Sequence, residues 1–140
     1  MSLTPHFTLA ELTATQHRGI DNTPPLEVIQ RLHQTALLLE QVRTRLGAPV
    51  IVSSGYRCPE LNEAVGGRPN SQHLTGQAVD FICPGFGSPS TVVSALVDSG
   101  IEYDQLICEY GRWVHISWAP QNRRHEALVI DSSGTRPFYA

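Results

Sequence analysis

The sequence predicts an α+β fold, a mainly antiparallel sheet with helices packed on one side of it. Three observations carry that reading. A long amphipathic helix comes early, the apolar runs of the second half have strand length, and the links between those runs are of hairpin type rather than helical crossovers.

The elements follow in order. Thr8-Leu9-Ala10-Glu11 has the spacing of a capping box and opens a short helix. Asn22-Thr23-Pro24 is a second start signal, with Thr23 as cap and Pro24 at the first helical position. Ile29, Leu32, Ala36, Leu39, Val42 and Leu46 then recur at steps of three or four, which is the core face of a helix that Gly47 ends. Pro49 to Ser53 reads as a short buried strand, and Pro59 to Val65 as a short helix stopped by Gly66-Gly67. A polar loop, Arg68 to His73, leads to a strand from Gln77 to Ile82. Ser88-Pro89 opens another helix that runs to about Ser99, with Gly100 beyond its end. Asp104 to Tyr110 and Trp113 to Trp118 read as two strands around a tight turn, and Ala127 to Ile130 as a last strand.

The chain has 140 residues, which fits a single domain over residues 1–140 with its core at about 7–118. Ten Lys+Arg against thirteen Asp+Glu give a net charge of -3, which argues against a nucleic-acid partner. No run of about 18 apolar residues is present, so no membrane span is expected. The opening Met1 to His6 lacks the basic and apolar regions of a secretory signal, so synthesis in the cytoplasm is expected. Cys58, Cys83 and Cys108 are odd in number and widely spaced, and they read as free thiols. Oligomeric state is not legible in the sequence.

The chemistry concentrates in His73-Leu74-Thr75-Gly76-Gln77-Ala78-Val79-Asp80 and in Trp113-Val114-His115. Zinc takes imidazole nitrogen and carboxylate oxygen, and a catalytic site holds it by three protein ligands with a further position open. His73, Asp80 and His115 offer such a set, with Gly76 letting the chain turn so that His73 and Asp80 reach one ion. Spacing alone also allows a loop histidine, a strand-edge acid and a hydrogen-bonded core histidine.

The wider context is more specific. Ser53-Ser54-Gly55-Tyr56-Arg57, then Ser71-Gln72-His73-Leu74-Thr75-Gly76-Gln77-Ala78-Val79-Asp80, then Trp113-Val114-His115 resemble, in order and separation, the zinc D-alanyl-D-alanine peptidase family, peptidase M15. Its short phage and prophage endolysin-like members look most similar. The resemblance implies the DD-peptidase zinc-binding fold and one zinc ion per chain on His73, Asp80 and His115. It also implies a peptidoglycan stem peptide as substrate, cut as a D,D-carboxypeptidase or a murein endopeptidase would cut it. Arg57 matches the arginine that binds a substrate carboxylate or carbonyl, and Ser71 the serine beside the substrate. Without a secretory signal, such a protein would reach the cell wall after release or by phage delivery. A non-catalytic zinc-containing binding or phage structural module of the same fold is the alternative.

That alternative draws on one departure. The family commonly places its general base three residues before the last histidine, where this chain has Arg112, which accepts no proton. Glu109 is the expected replacement. A three-residue loop, Tyr110-Gly111-Arg112, would pair Glu109 with Trp113 and Ile107 with His115, so that Glu109, Trp113 and His115 share a face. A two-residue loop would put Glu109 on the other face. Asp104 is the reserve candidate for the base, or else a turn residue at the strand start. Tyr56, Gln72, Trp113 and Trp118 are candidates to line a substrate groove, with Tyr56 and Trp118 also suited to the core.

Overall fold

A computed structural model describes residues 1–121 and 123–139. Two short strands, β1 (Ser2–Thr4) and β2 (Phe7–Thr8), pair with each other and lead into helix α1 (Leu9–Thr13). Both halves of the expected capping box form there: the Thr8 side chain accepts from the Glu11 N–H, and the Glu11 carboxylate from the Thr8 N–H. The long helix α2 (Leu26–Leu46) starts two residues later than the Thr23-Pro24 signal predicts. Thr23 instead donates its N–H and its hydroxyl to Asp21, a local turn that competes with capping. Pro25 takes the cap position. The core face is also rotated, because Val28 is buried where Ile29 was expected and Ile29 is only half-buried. Gly47 ends the helix in the left-handed conformation, φ 65°, and donates to the Arg43 carbonyl.

The main sheet is built from β3 (Ile51–Ser54), β4 (Ala78–Ile82), β5 (Gln105–Glu109), β6 (Trp113–Ser117), β7 (Glu126–Asp131) and β8 (Gly134–Pro137), in the order β3-β4-β6-β5-β7-β8. It is antiparallel except where β7 runs parallel to β5. β3 is an edge strand with Ile51 half exposed, which corrects the buried strand expected from its apolar run. β8 was not expected from the sequence.

Period-two alternation gives the sheet two different faces. Val79 and Phe81 of β4, Leu106 and Cys108 of β5, and Val114 and Ile116 of β6 join the apolar core. They pack there with Leu32, Leu39 and Val42 of α2 and with Val92, Val93 and Leu96 of α4 (Pro89–Val97). The other parity brings Asp80, His115, Ile107 and Glu109 together on the opposite face, because directly paired residues share a face. Among the described residues, no helix is long and apolar enough to cross a membrane.

The parallel strand has a simple topological reason. β6 ends where β5 begins, and β7 starts at that same end on the other side of β5, so the passage between them is short. Asp104, buried just before β5, fastens the passage. Its N–H donates to the Ser117 carbonyl at 2.8 Å and its own carbonyl accepts from the Glu126 N–H at 3.0 Å. Its carboxylate accepts from the Arg124 backbone N–H at 2.7 Å, from Arg124 Nη2 at 2.7 Å and from Gln72 Nε2 at 2.8 Å.

The hydrogen bonds from Arg124 hold the Asp104 carboxyl below the usual carboxylate range, against the opposing effect of its burial. A depressed carboxyl stabilises the fold above its unfolded pKa of about 3.9, and that stabilisation is lost as pH falls through the folded value. Asp104→Asn is therefore expected to lower unfolding stability at neutral pH by roughly 2 kcal/mol. Denaturant titrations of both proteins should show the gap closing below about pH 4; a gap independent of pH would remove the charge from the explanation.

Candidate metal centre

Asp80 and His115 face each other directly across the β4–β6 pairing. Both are buried, at 7% and 8% exposure. His73 arrives from a different element, a 3₁₀ turn (Gln72–Thr75) and not the open loop the sequence suggests. Ser71 caps that turn by accepting from the His73 N–H. Gly76 closes it at φ 80° and sits against Val28 and Leu32 of α2, so the turn enters β4 with a conformation that favours glycine.

The three side chains converge on one oxygen. His73 Nε2 is 3.3 Å and His115 Nδ1 2.9 Å from Asp80 Oδ1. One donor atom from each residue lies within 4.8 Å of the other two. The far side of the His73 ring is fixed: Nδ1 stands 2.7 Å from the Gly55 carbonyl, which can only accept, so Nδ1 donates to it and turns Nε2 toward Asp80. Gly55 has no room for a side chain. A Cβ there would lie 2.2 Å from the Leu12 carbonyl oxygen of α1, which accepts the neighbouring Tyr56 N–H at 2.8 Å.

Arg57 holds the other carboxylate oxygen. Its Nη2 is 3.4 Å from Asp80 Oδ2, its Nε donates to Ser54 Oγ at 3.1 Å, and its Nη1 reaches Asn62 Oδ1 of α3 (Pro59–Ala64) at 3.4 Å. Burial by itself would raise the Asp80 carboxyl, but the charges and hydrogen bonds of His73 and His115 hold it far below the ordinary carboxylate range. Asp80 is thus held as an anion at neutral pH.

Glu109 completes the group. The β5–β6 turn has the three-residue loop, with Glu109 paired to Trp113 and Ile107 to His115. Tyr110 and Gly111 are both left-handed, at φ 55° and 63°, and the Arg112 N–H closes the turn on the Glu109 carbonyl at 3.0 Å. Glu109 Oε1 stands 3.8 Å from His115 Nδ1. Burial pushes the Glu109 carboxyl up, the Asp80 charge acts in the same direction, and His115, Arg57 and Trp113 pull against them. Arg112 is exposed on the turn.

A family model described as peptidase M15 matches residues 5–117. The chain belongs to the peptidase M15 family. No curated protein matches it. M15 peptidases are zinc-dependent, and the donor set here fits that metal. Ligand atoms at about 2.0–2.1 Å from a tetrahedral ion are themselves roughly 3.3 Å apart, close to the separations that Asp80 Oδ1 makes with the two histidines.

Other residues singled out in the sequence fall into two groups. Trp113 stays half-exposed beside the site, stacked at a tilt on Tyr110 with ring centroids 5.7 Å apart. Tyr56 is buried, and Trp118 donates its indole N–H to Thr35 Oγ1 at 2.8 Å, so both belong to the core. The Gln72 carboxamide is engaged within the protein, with Asp104, Trp118 and Arg124. Asp104, the reserve base, is committed to Arg124 and Gln72. Cys58 is a half-buried free thiol, and Cys83 and Cys108 are buried ones. Arg124 and the Gly55 carbonyl had no role in the sequence reading. A backbone carbonyl leaves no side-chain signal, and Arg124 lies beyond the residues that the M15 pattern covers.

Gly55→Ala should displace the carbonyl that orients His73. Loss of such a supporting contact typically costs 10–100-fold in metal affinity. Competition against a chromophoric chelator is expected to show a drop of about that size; wild-type affinity in the variant would mean that the carbonyl does not set the ring.

Proposed function

We propose that this M15 protein is a zinc-dependent peptidase that cleaves peptidoglycan stem peptides, as a D,D-carboxypeptidase or a murein endopeptidase. The observation that carries the reading is the convergence of His73 Nε2, Asp80 Oδ1 and His115 Nδ1, with the Glu109 carboxylate beside it on the same sheet face. His73, Asp80 and His115 would hold one zinc ion per chain. When bound, zinc supplies a Lewis acid that polarises the scissile carbonyl and acidifies the attacking water.

The chain's own groups supply the rest. Glu109 takes the proton of the attacking water and returns it to the leaving amine. Its upward-shifted carboxyl is a stronger base than an ordinary carboxylate and so takes that proton more readily. Arg57 keeps the Asp80 carboxylate oriented through Nη2 and presents its guanidinium to a substrate carboxylate or carbonyl. Ser71 and Trp113 border the site, the first with a hydroxyl to donate and the second with a half-exposed aromatic face for the peptide. The Gln72 carboxamide, given a substrate-binding role by sequence position, is engaged here by Asp104, Trp118 and Arg124.

Arg112 favoured a non-catalytic module on sequence grounds. Its exposed place on the turn, with Glu109 three residues earlier near His115, supports the enzyme reading over that one. Action on the cell wall after release or phage delivery is part of the same proposal.

Three outcomes test it. Purified murein incubated with the zinc-loaded protein should release stem-peptide fragments, and chelation should stop the release. Glu109→Gln should lower turnover by roughly 10²–10⁴-fold with zinc content unchanged. Arg57→Ala should weaken substrate use, and Arg57→Lys should restore only part of it, because an ammonium lacks the planar fork. Full activity in Glu109→Gln would move the base elsewhere, and an inert wild-type protein would return the module reading.

A further inference from the structure

The Asp104 network does more than close the β6–β7 passage. Gln72, the first residue of the 3₁₀ turn, is adjacent to His73 and is held at both ends of its carboxamide. Its Nε2 donates to Asp104 Oδ2 at 2.8 Å and approaches the Trp118 carbonyl at 3.4 Å, while its Oε1 accepts from Arg124 Nη2 at 3.3 Å. Its backbone carbonyl accepts from the Gln77 N–H at 3.0 Å and from Thr75 Oγ1 at 3.0 Å. Gln77 Nε2 meets the same Trp118 carbonyl at 3.3 Å. The turn carrying His73 is therefore tied, through one side chain, to the link over the start of β5.

Arg124 anchors that tie. It grips Asp104 with its backbone N–H, with Nε at 3.2 Å from each carboxylate oxygen, and with Nη2 at 2.7 Å. Asp104 is buried at 3% exposure, and Arg124 is the cation facing it, with Glu126 at the rim 4.0 Å from Arg124 Nη1. The planar guanidinium reads both the carboxylate and the Gln72 amide oxygen, a geometry that a lysine cannot reproduce. Arg124 lies outside the residues 5–117 that match the family model.

We infer that Arg124 and Gln72 are positioning residues for the metal centre: the Arg124–Asp104 pair sets the Gln72 carboxamide, and Gln72 sets the turn that presents His73. Gly55 fixes the rotation of the His73 ring, whereas Gln72 fixes where the His73 backbone stands. The inference rests on the reading of His73, Asp80 and His115 as metal ligands.

The test is metal affinity in the full-length chain, measured by zinc competition with a chromophoric chelator and by the visible spectrum of the cobalt-substituted protein. Gln72→Ala leaves the Asp104–Arg124 pair intact, so its metal-free melting temperature should stay near that of wild type. Its zinc affinity should fall roughly tenfold, the lower end of what supporting contacts contribute. Its cobalt absorption band should shift, and its Gln77 amide should exchange with solvent faster. Arg124→Ala should weaken zinc by a similar factor, and Arg124→Lys should not recover it. The double variant should lose no more than the weaker single, because both act through one contact. Wild-type affinity and an unshifted cobalt band in Gln72→Ala would overturn the inference, as would losses that simply multiply in the double variant. His73→Ala is the control for the underlying reading. If it binds zinc as well as wild type, the metal assignment itself falls; if it loses zinc while Gln72→Ala does not, only the positioning role falls.

Discussion

A buried carboxylate must be compensated, and Asp80 is the place where this fold meets that requirement. One of its oxygens receives two imidazoles and the other a guanidinium. Removing one partner from a buried charge group costs about 3–5 kcal/mol, because the charge that remains has no water to replace what was lost. The geometry around Asp80 is therefore not free to drift. It demands that β4 and β6 pair in one register, that α3 and the segment before it bring Arg57 alongside, and that the 3₁₀ turn return His73 to the same oxygen. The cluster that neutralises Asp80 is also a ready-made donor set for a divalent cation.

The sheet meets a second demand by separating its two faces. One face carries Val79, Phe81, Leu106, Val114 and Ile116 against α2 and α4, and burial of each such side chain contributes roughly 1.5–3 kcal/mol. The other face carries Asp80, His115 and Glu109, none of which an apolar core would tolerate. Because side chains alternate along a strand, the rigidity gained on the helix face passes to Asp80, His115 and Glu109 one residue away. A ligand on a strand whose neighbours are close-packed moves less than a ligand on a loop.

β7 is the exception to the antiparallel pattern, and it is informative. Its parallel pairing with β5 brings the chain back to the start of β5, the end of the sheet where the 3₁₀ turn sits. Asp104 joins the end of β6, the start of β7 and the turn through backbone and side-chain bonds together. Part of the chain beyond the M15-matched residues is thereby coupled to the element that carries His73.

Much of this was legible in the sequence, for physical reasons that apply locally. The capping box at Thr8 and Glu11, the Gly47 stop and the Ser88-Pro89 start are short-range bonds and dihedral preferences, and they formed as read. The α+β class followed from strand-length runs joined by tight turns. The three-residue loop at Tyr110, Gly111 and Arg112 was one of two registers that the sequence allowed, and side-chain parity gave the face on which each would put Glu109. Ordered motifs brought His73, Asp80 and His115 forward as one group. What stayed hidden depends on contacts between residues far apart in the chain. The start of α2 was misplaced because Asp21 draws Thr23 into a turn. Pro49 to Ser53 looked buried because an apolar run does not reveal that its strand lies at a sheet edge. The parallel pairing of β7 depends on which end of β5 the chain crosses. Gln72 was read as a substrate contact beside the candidate ligand His73, and only the folded chain brings Asp104 and Arg124 to its carboxamide. Local sequence determined the candidate ligands and the strands that bear Asp80 and His115; the tertiary structure decided what holds these side chains and His73 in place, because the holding bonds join segments that only the folded chain brings together.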